Sequence, residues 1–274
     1  MSIKKLLIAA AFIVVAAPSL GSASGGAALP HQEWGHKGIF GTFDRAALKR
    51  GARVAVDVCM GCHSFKYIKF EHLSALGFGE AEIKQLAADQ GKTKNERLIS
   101  ALDNATALDS YNIIPPDLSL MTKARVGFED YTYGVLNGYV SDEAAEVISD
   151  ALDDENLTND ELKKVAEAMH LDPSDLEHVR TLAQRVNDGD NYNRYFPGNF
   201  FAMPPPLSED AVEYEDGTPA TLHQLSHDVV TFMSWAAEPH MEESKSLGLK
   251  VLAYLAILTL LLFALKKRIW ARMH

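Results

Sequence analysis

Two long apolar stretches bracket the chain, and between them hydrophobic positions recur at helical rather than strand spacing. The first stretch, Leu6 to Ala17, follows Lys4 and Lys5 and runs into Pro18 and the small residues Gly21-Ser22-Ala23. That layout predicts a secretory signal peptide over residues 1–23, cleaved after Ala23. The run is too short to span a bilayer. The second stretch, Leu247 to Leu265, is interrupted only by Lys250 near its start. At about 1.5 Å per residue it reaches roughly 28 Å, the thickness of a hydrocarbon core, which predicts a transmembrane helix over 246–265. Lys266, Lys267, Arg268, Arg272 and Trp270 follow at once, so residues 266–274 are expected on the cytoplasmic side and residues 24–245 in the periplasm.

Between the brackets, His31 to Phe43 reads as an ordered glycine-rich loop with Trp34, Phe40 and Phe43 as packing anchors. Asp44 is placed to cap a helix through Ala46, Ala47, Leu48, Val54, Ala55 and Val58. Gly51 in its middle costs about 1 kcal/mol against alanine, which points to a close helix crossing there. Two short helices joined by Gly77-Phe78-Gly79 come next, then a further helix within Lys92 to Asp103, and an extended proline-stiffened loop from Asn112 to Ser119. Thr122 to Tyr139 reads as one helix bearing Arg125, Tyr131 and Tyr133. In residues 141–190 a Thr158–Glu161 capping box and Asp172-Pro173 mark helix starts, with Val147, Ile148, Leu162, Val165, Met169, Leu176, Val179 and Leu182 on apolar faces. The prolines of Tyr195 to Leu207 exclude helix there. Thr218-Pro219 is expected to start a last soluble helix with Leu222, Leu225, Val229, Phe232 and Trp235 on its core face and its aromatic end near Gly51; Glu238-Pro239 ends it.

Charge changes this picture in one respect. The formal net charge is −11, and setting aside the six basic residues of the signal peptide and tail leaves 20 basic against 37 acidic side chains, −17, for residues 24–265. Residues 141–190 hold 15 acidic and 4 basic side chains and so supply 11 of those 17 charges. An exported domain so acidic excludes nucleic acid as a partner and suits steering of a basic protein. The acids do not follow the twelve-residue EF-hand pattern, so the segment reads as a solvated acidic helical insertion.

The candidate chemistry sits in Cys59-Met60-Gly61-Cys62-His63, the C-x-x-C-H signature of covalent haem attachment, in which two thiols bond the haem and the histidine ligates iron. These are the only two cysteines, so one haem is the limit by this route and no disulfide partner remains. The competing thioredoxin-like redox pair requires a βαβ setting, and the flanks read as helix. Met203, in the proline loop, is the best candidate for the sixth ligand; a thioether opposite histidine raises the potential and closes the iron to substrates. Met121 is its rival, and His223 or His227 are histidine alternatives that the pattern places on a polar helix surface. Met60, Met169 and Met233 compete poorly, the first lying inside the motif and the others on apparent helix faces. Arg125 reads equally as a haem-propionate partner and as a solvated helix arginine.

In sequence order the chain resembles the cytochrome c1 family, the haem subunits of bacterial cytochrome bc1 complexes (ubiquinol–cytochrome c reductase). The resemblance rests on Trp34, Phe43-Asp44, Arg50-Gly51, Val58 to Ser64, Pro115-Pro116-Asp117-Leu118-Ser119, Arg125 with Glu129-Asp130-Tyr131, and Asn137-Gly138-Tyr139. It continues through Tyr195-Phe196-Pro197-Gly198, Ala202-Met203-Pro204-Pro205, Asp216 to Thr221 and Trp235 to Pro239. It implies a mainly α fold: a class I cytochrome c-like haem domain with long loops and an acidic helical insertion, plus one C-terminal transmembrane helix. It further implies one covalent haem c on Cys59 and Cys62, His63 and Met203 as axial ligands, and Arg125 near a propionate. The implied role is electron transfer from a Rieske iron-sulfur protein to a soluble basic cytochrome c, beside cytochrome b, in a quinol-oxidising respiratory or photosynthetic chain. No substrate chemistry of the chain's own is expected. Val140 follows Gly138-Tyr139 where relatives often carry cysteine, so a disulfide known in parts of the family is not formed, and residues 141–190 are longer than in many members. The competing classes are a freestanding membrane-anchored cytochrome feeding an oxidase, and a haem enzyme or gas sensor, which needs an open iron site.

Overall fold

The computed structural model describes residues 27–153 and 157–272, so the expected signal peptide, residues 1–23, lies outside the described part. The elements, in chain order, are α1 (Arg45–Asp57), a 3-10 turn (Cys59–Gly61), β1 (Phe65–Lys69), a 3-10 helix (Phe70–Leu76), α2 (Glu80–Asp89), β2 (Arg97–Leu98), α3 (Asn104–Tyr111), α4 (Met121–Ala124) and α5 (Phe128–Asn137). They continue as α6 (Asp142–Asp153), α7 (Asn159–Ala168), α8 (Leu176–Asn187), α9 (Leu222–Ala237) and α10 (Met241–Trp270).

The core is built on the crossing of α1 and α9. Asp44 caps α1 by accepting from the Ala46 and Ala47 amides, and α1 buries Ala47, Leu48, Gly51, Ala52, Val54 and Ala55. A Cβ on Gly51 would fall 1.9 Å from the Asp228 carbonyl and 3.0 Å from the Phe232 Cβ, so only glycine lets the two backbones meet. The crossing lies at the middle of α9, at Asp228 and Phe232, and not at its Trp235 end. Arg50, one residue earlier, grips the fully buried Asp228 through two nitrogens, Nε at 2.7 Å and Nη2 at 3.2 Å, while Nη1 reaches Asp216 at 2.8 Å. Phe232 packs edge-on against Phe65 of β1, which carries the crossing toward the cysteine motif.

Several local expectations give way to tertiary structure. Residues 92–103 hold no helix: Thr93 and Glu96 close a turn, Arg97 and Leu98 pair antiparallel with β1, and Asp103 starts α3 by accepting from the Ala105 and Thr106 amides. Burial of Leu98 under β1 outweighs helical spacing there. The helix expected over Thr122–Tyr139 is broken at Arg125–Gly127, where Gly127 (φ +94°) and Phe128 (φ +52°) adopt left-handed backbone. Asp172-Pro173 opens a turn and Thr218-Pro219 lies in irregular chain after one, with Asp172 accepting from the Ser174 amide and Asp216 from the Thr218 amide; the caps are Asp175 for α8 and Thr221 for α9. Trp34 and Phe43 are buried, whereas Phe40 is 81% exposed.

The acidic segment has its own small core. Ile148, Leu162, Val165, Met169, Val179 and Leu182 from α6, α7 and α8 close on Tyr192, with Val140, Leu176 and Phe200 packed alongside and Val147 left outside. Thr158 and Glu161 form the expected capping box. Beyond Pro239 the chain enters α10, 30 residues long with none buried, whose middle is apolar enough to cross a membrane.

Candidate functional site

Helix α1 delivers the cysteine motif from a rigid base, since Val54, Ala55, Val56 and Met60 are all core residues. The 3-10 turn follows directly: the Cys62 and His63 amides both donate to the Cys59 carbonyl, at 3.1 and 2.8 Å. One tight turn therefore carries both thiols and releases the chain at His63. Burial pushes the Cys59 thiol up to about 12, opposite in direction to the lowered value of a reactive redox cysteine.

His63 is held by the proline loop. Its Nδ1 lies 2.8 Å from the Pro116 carbonyl oxygen, an acceptor, so Nδ1 carries the proton and Nε2 keeps its lone pair. Burial lowers the imidazole below its ordinary value, against the opposing pull of the Pro116 carbonyl and the Asp117 carboxylate, and keeps it neutral. The loop is stitched in place: Asp117 accepts from the Lys66 and Ser119 amides, Ser119 Oγ accepts from the Tyr67 amide, and the Leu118 amide donates to the Ser64 carbonyl. Ser100 ties a third segment to the motif by donating to the Gly61 carbonyl, and its own amide donates to Ser64 Oγ.

The residues fit a large apolar prosthetic group carrying iron. A neutral imidazole with a free Nε2 is a metal ligand. On the segment that supplies Pro116, the apolar side chains of Leu108, Tyr111, Ile113, Ile114 and Leu120 are exposed, an arrangement that suits a flat hydrophobic partner.

Met203 lies half-buried in an extended segment, and its carbonyl accepts from the Tyr139 hydroxyl at 3.1 Å. Burial raises Tyr139 above the ordinary phenol value, so it remains a neutral donor. Phe201 stacks between Phe196 and Tyr139, at 4.4 and 5.7 Å. The Asn193 amide group donates to the Val135 carbonyl, and the Arg194 backbone amide donates to the Gly138 carbonyl, which fastens the same loop to the end of α5. The rival Met121 begins α4 and packs against the main core. His223 accepts or donates a hydrogen bond at the Tyr133 hydroxyl, 2.8 Å away, and His227 is stacked on the Trp34 indole at 4.8 Å, so both histidines are engaged elsewhere. Arg125 is exposed in the break between α4 and α5, not on a helix, and among the described residues donates only to the neighbouring Ala124 carbonyl.

Ser64, Asp117 and Tyr139 enter the sequence reading as residues of the resemblance, with no role assigned, and Ser100 escaped it. The Asp-x-Ser spacing of Asp117 and Ser119 is the one local signal, an Asx turn; the other bonds join residues far apart in the chain.

A protein-family model described as the Cytochrome C1 family matches residues 34–273. The chain is 38% identical to "Cytochrome c1" of Rhodospirillum rubrum over 98% of its own length and 97% of that protein. It is 34% identical to "Cytochrome c1, heme protein, mitochondrial" of Saccharomyces cerevisiae over 93% of its length and 76% of that protein. It is also 35% identical to "Cytochrome b/c1" of Bradyrhizobium diazoefficiens, over 89% of its length but 36% of that longer protein.

Proposed function

The chain belongs to the cytochrome c1 family, and on that premise we propose that it is the haem c subunit of a cytochrome bc1 complex, taking electrons from the Rieske protein and passing them to a soluble basic cytochrome c. The observation that carries the site is the Pro116 carbonyl on His63 Nδ1, which leaves one imidazole nitrogen available to iron.

Covalently attached haem c supplies one-electron chemistry when bound. Cys59 and Cys62 would hold it, His63 Nε2 and the Met203 thioether would ligate the iron, and Arg125, which pairs with no carboxylate among the described residues, would be available to a propionate. Tyr139 and the Phe196–Phe201 stack steady the methionine segment. With both of these ligands the iron would be closed to oxygen and substrate, and the chemistry supplied would be electron transfer.

Cytochrome b and the Rieske protein are its partners in the complex, and the "Cytochrome b/c1" name of the Bradyrhizobium relative supports the first pairing. The haem domain, residues 24–245 with the 141–190 insertion, faces the periplasm. Helix α10 crosses the inner membrane over 246–265 and the basic residues 266–274 lie in the cytoplasm, as the positive-inside rule favours. Purification in mild detergent through a tag on this chain tests the proposal: a dihaem cytochrome b and a Rieske protein must copurify. Isolation of the chain alone, still able to reduce an oxidase, would replace it with the freestanding cytochrome.

A further inference from the structure

The loop from Gly35 to Thr42 has no part in the haem site, yet it is built with care. The Thr42 amide donates to the Gly35 carbonyl, the Lys37 amide to the Trp34 carbonyl and the Gly41 amide to the Gly38 carbonyl, closing a narrow finger. Gly38 takes φ +78°, and a Cβ on Gly41 would fall 1.9 Å from the Lys37 carbonyl, so the closure depends on both glycines. The two residues at its tip are Ile39, 66% exposed, and Phe40, 81% exposed. Turn tips ordinarily carry glycine, asparagine, aspartate or serine.

The finger is fastened to the start of the membrane helix. Lys245 of α10 donates to the His36 carbonyl at 2.6 Å and the Gly41 carbonyl at 3.0 Å, and Glu242 accepts from the Phe43 amide and pairs with Arg45. Lys245 stands two residues, about 3 Å of helix rise, before Leu247, where the apolar stretch begins. Gly38, Phe128, Ser244 and Lys245 also line a common cleft, and Phe128 is another exposed apolar side chain.

We propose that Ile39 and Phe40 form an interfacial anchor that inserts into the outer leaflet of the lipid bilayer beside α10 and fixes the height of the haem domain above the membrane. This rests on the reading of α10 as the membrane span. Two apolar side chains on a finger are far too little for a protein interface of about 800 Å² per side, whereas they suit shallow insertion into the boundary between head groups and acyl chains. Lys245, held between the finger and the head of α10, adds a positive charge at the level where anionic head groups lie.

The test places a nitroxide on the chain in the purified complex, reconstituted into phosphatidylethanolamine and phosphatidylglycerol vesicles. Phe40→Cys and Ile39→Cys are exposed positions that leave the fold intact, and Cys59 and Cys62 are consumed by the haem. Collision with oxygen, which concentrates in lipid, is compared with collision with a water-soluble nickel chelate. Ser174→Cys, exposed on the acidic lobe, serves as the aqueous reference, and Tyr254→Cys and Leu261→Cys report on α10. The expected oxygen-to-nickel ratio at residues 39 and 40 is several-fold above that at residue 174. A ratio equal to the aqueous reference overturns the anchor, and so does a label immobilised and shielded from both reagents, which would mean burial against protein. If residues 254 and 261 themselves read as aqueous, it is the membrane reading of α10 that falls.

Discussion

At the scale of single residues the proposed haem site turns on Met203 as iron ligand and on Tyr139, which holds the Met203 carbonyl. Met203→Leu should abolish the near-infrared methionine-to-iron band of the oxidised protein and lower the potential, within the span of about 0.8 V that axial ligands cover, while Met121→Leu should leave both in place. The reverse pattern would transfer the ligand role to Met121. Tyr139→Phe removes the only side-chain donor to the Met203 carbonyl among the described residues, at a cost of about 1 kcal/mol. The expected outcome is a weakened band and a lower potential with the haem still attached, read by redox titration; an unchanged potential would reduce Tyr139 to packing. The attachment motif was legible because its chemistry is written in five consecutive residues. Tyr139 and the Pro116 carbonyl were not, because each acts on a residue more than fifty positions away and no local pattern announces it.

At the scale of elements the crossing of α1 and α9 carries the site, and a lone glycine in a helical run pointed to it. Gly51→Ala puts a methyl group against the Asp228 backbone and should destabilise the domain by about 1–3 kcal/mol, measured by denaturant unfolding. Stability unaffected by that change would remove the close crossing. Helices with a side-chain cap and an apolar stripe, such as α1 and α7, could be read directly; the break at Arg125–Gly127 and the β1–β2 pair could not, since left-handed backbone at a phenylalanine and pairing of a two-residue strand are imposed from outside. The N-terminal loop meets α5 through Glu129, whose buried carboxylate faces His36, Lys37 and the Ser234 hydroxyl. Burial works against its charge, but the hydrogen bonds from His36, from the helix backbone and from Lys37 outweigh it and hold the carboxyl at about 2. Because that is below the ordinary carboxylate value, its stabilisation is complete above about pH 4.5 and is lost as pH falls toward 2. Glu129→Gln should flatten the acid limb of the stability profile, and an unaltered acid limb would contradict the coupling.

At the scale of the whole molecule, charge and anchoring are segregated. The three-helix lobe carries the excess acid on its outside, including exposed Glu143, Glu146 and Asp150, while its core of Val165, Val179 and Tyr192 makes it more than the solvated insertion its composition suggests. If the lobe steers a basic cytochrome c, the rate of cytochrome c reduction should fall steeply with ionic strength, and Glu143→Gln, Glu146→Gln and Asp150→Asn together should lower the low-salt rate and flatten that slope. A slope unmoved by the triple change would leave the lobe a structural role. The membrane helix and acidic balance were plain in the sequence, whereas the lobe's core was not, because its residues come from three helices and the loop beyond them. The most direct test of the electron path is stopped-flow spectroscopy of the purified complex, following the haem of this chain after quinol is added. The account predicts rapid reduction only when the Rieske protein is present, followed by reoxidation on adding a soluble cytochrome c. Equal reduction without the Rieske protein, or a reduced haem that cytochrome c leaves untouched, would contradict it.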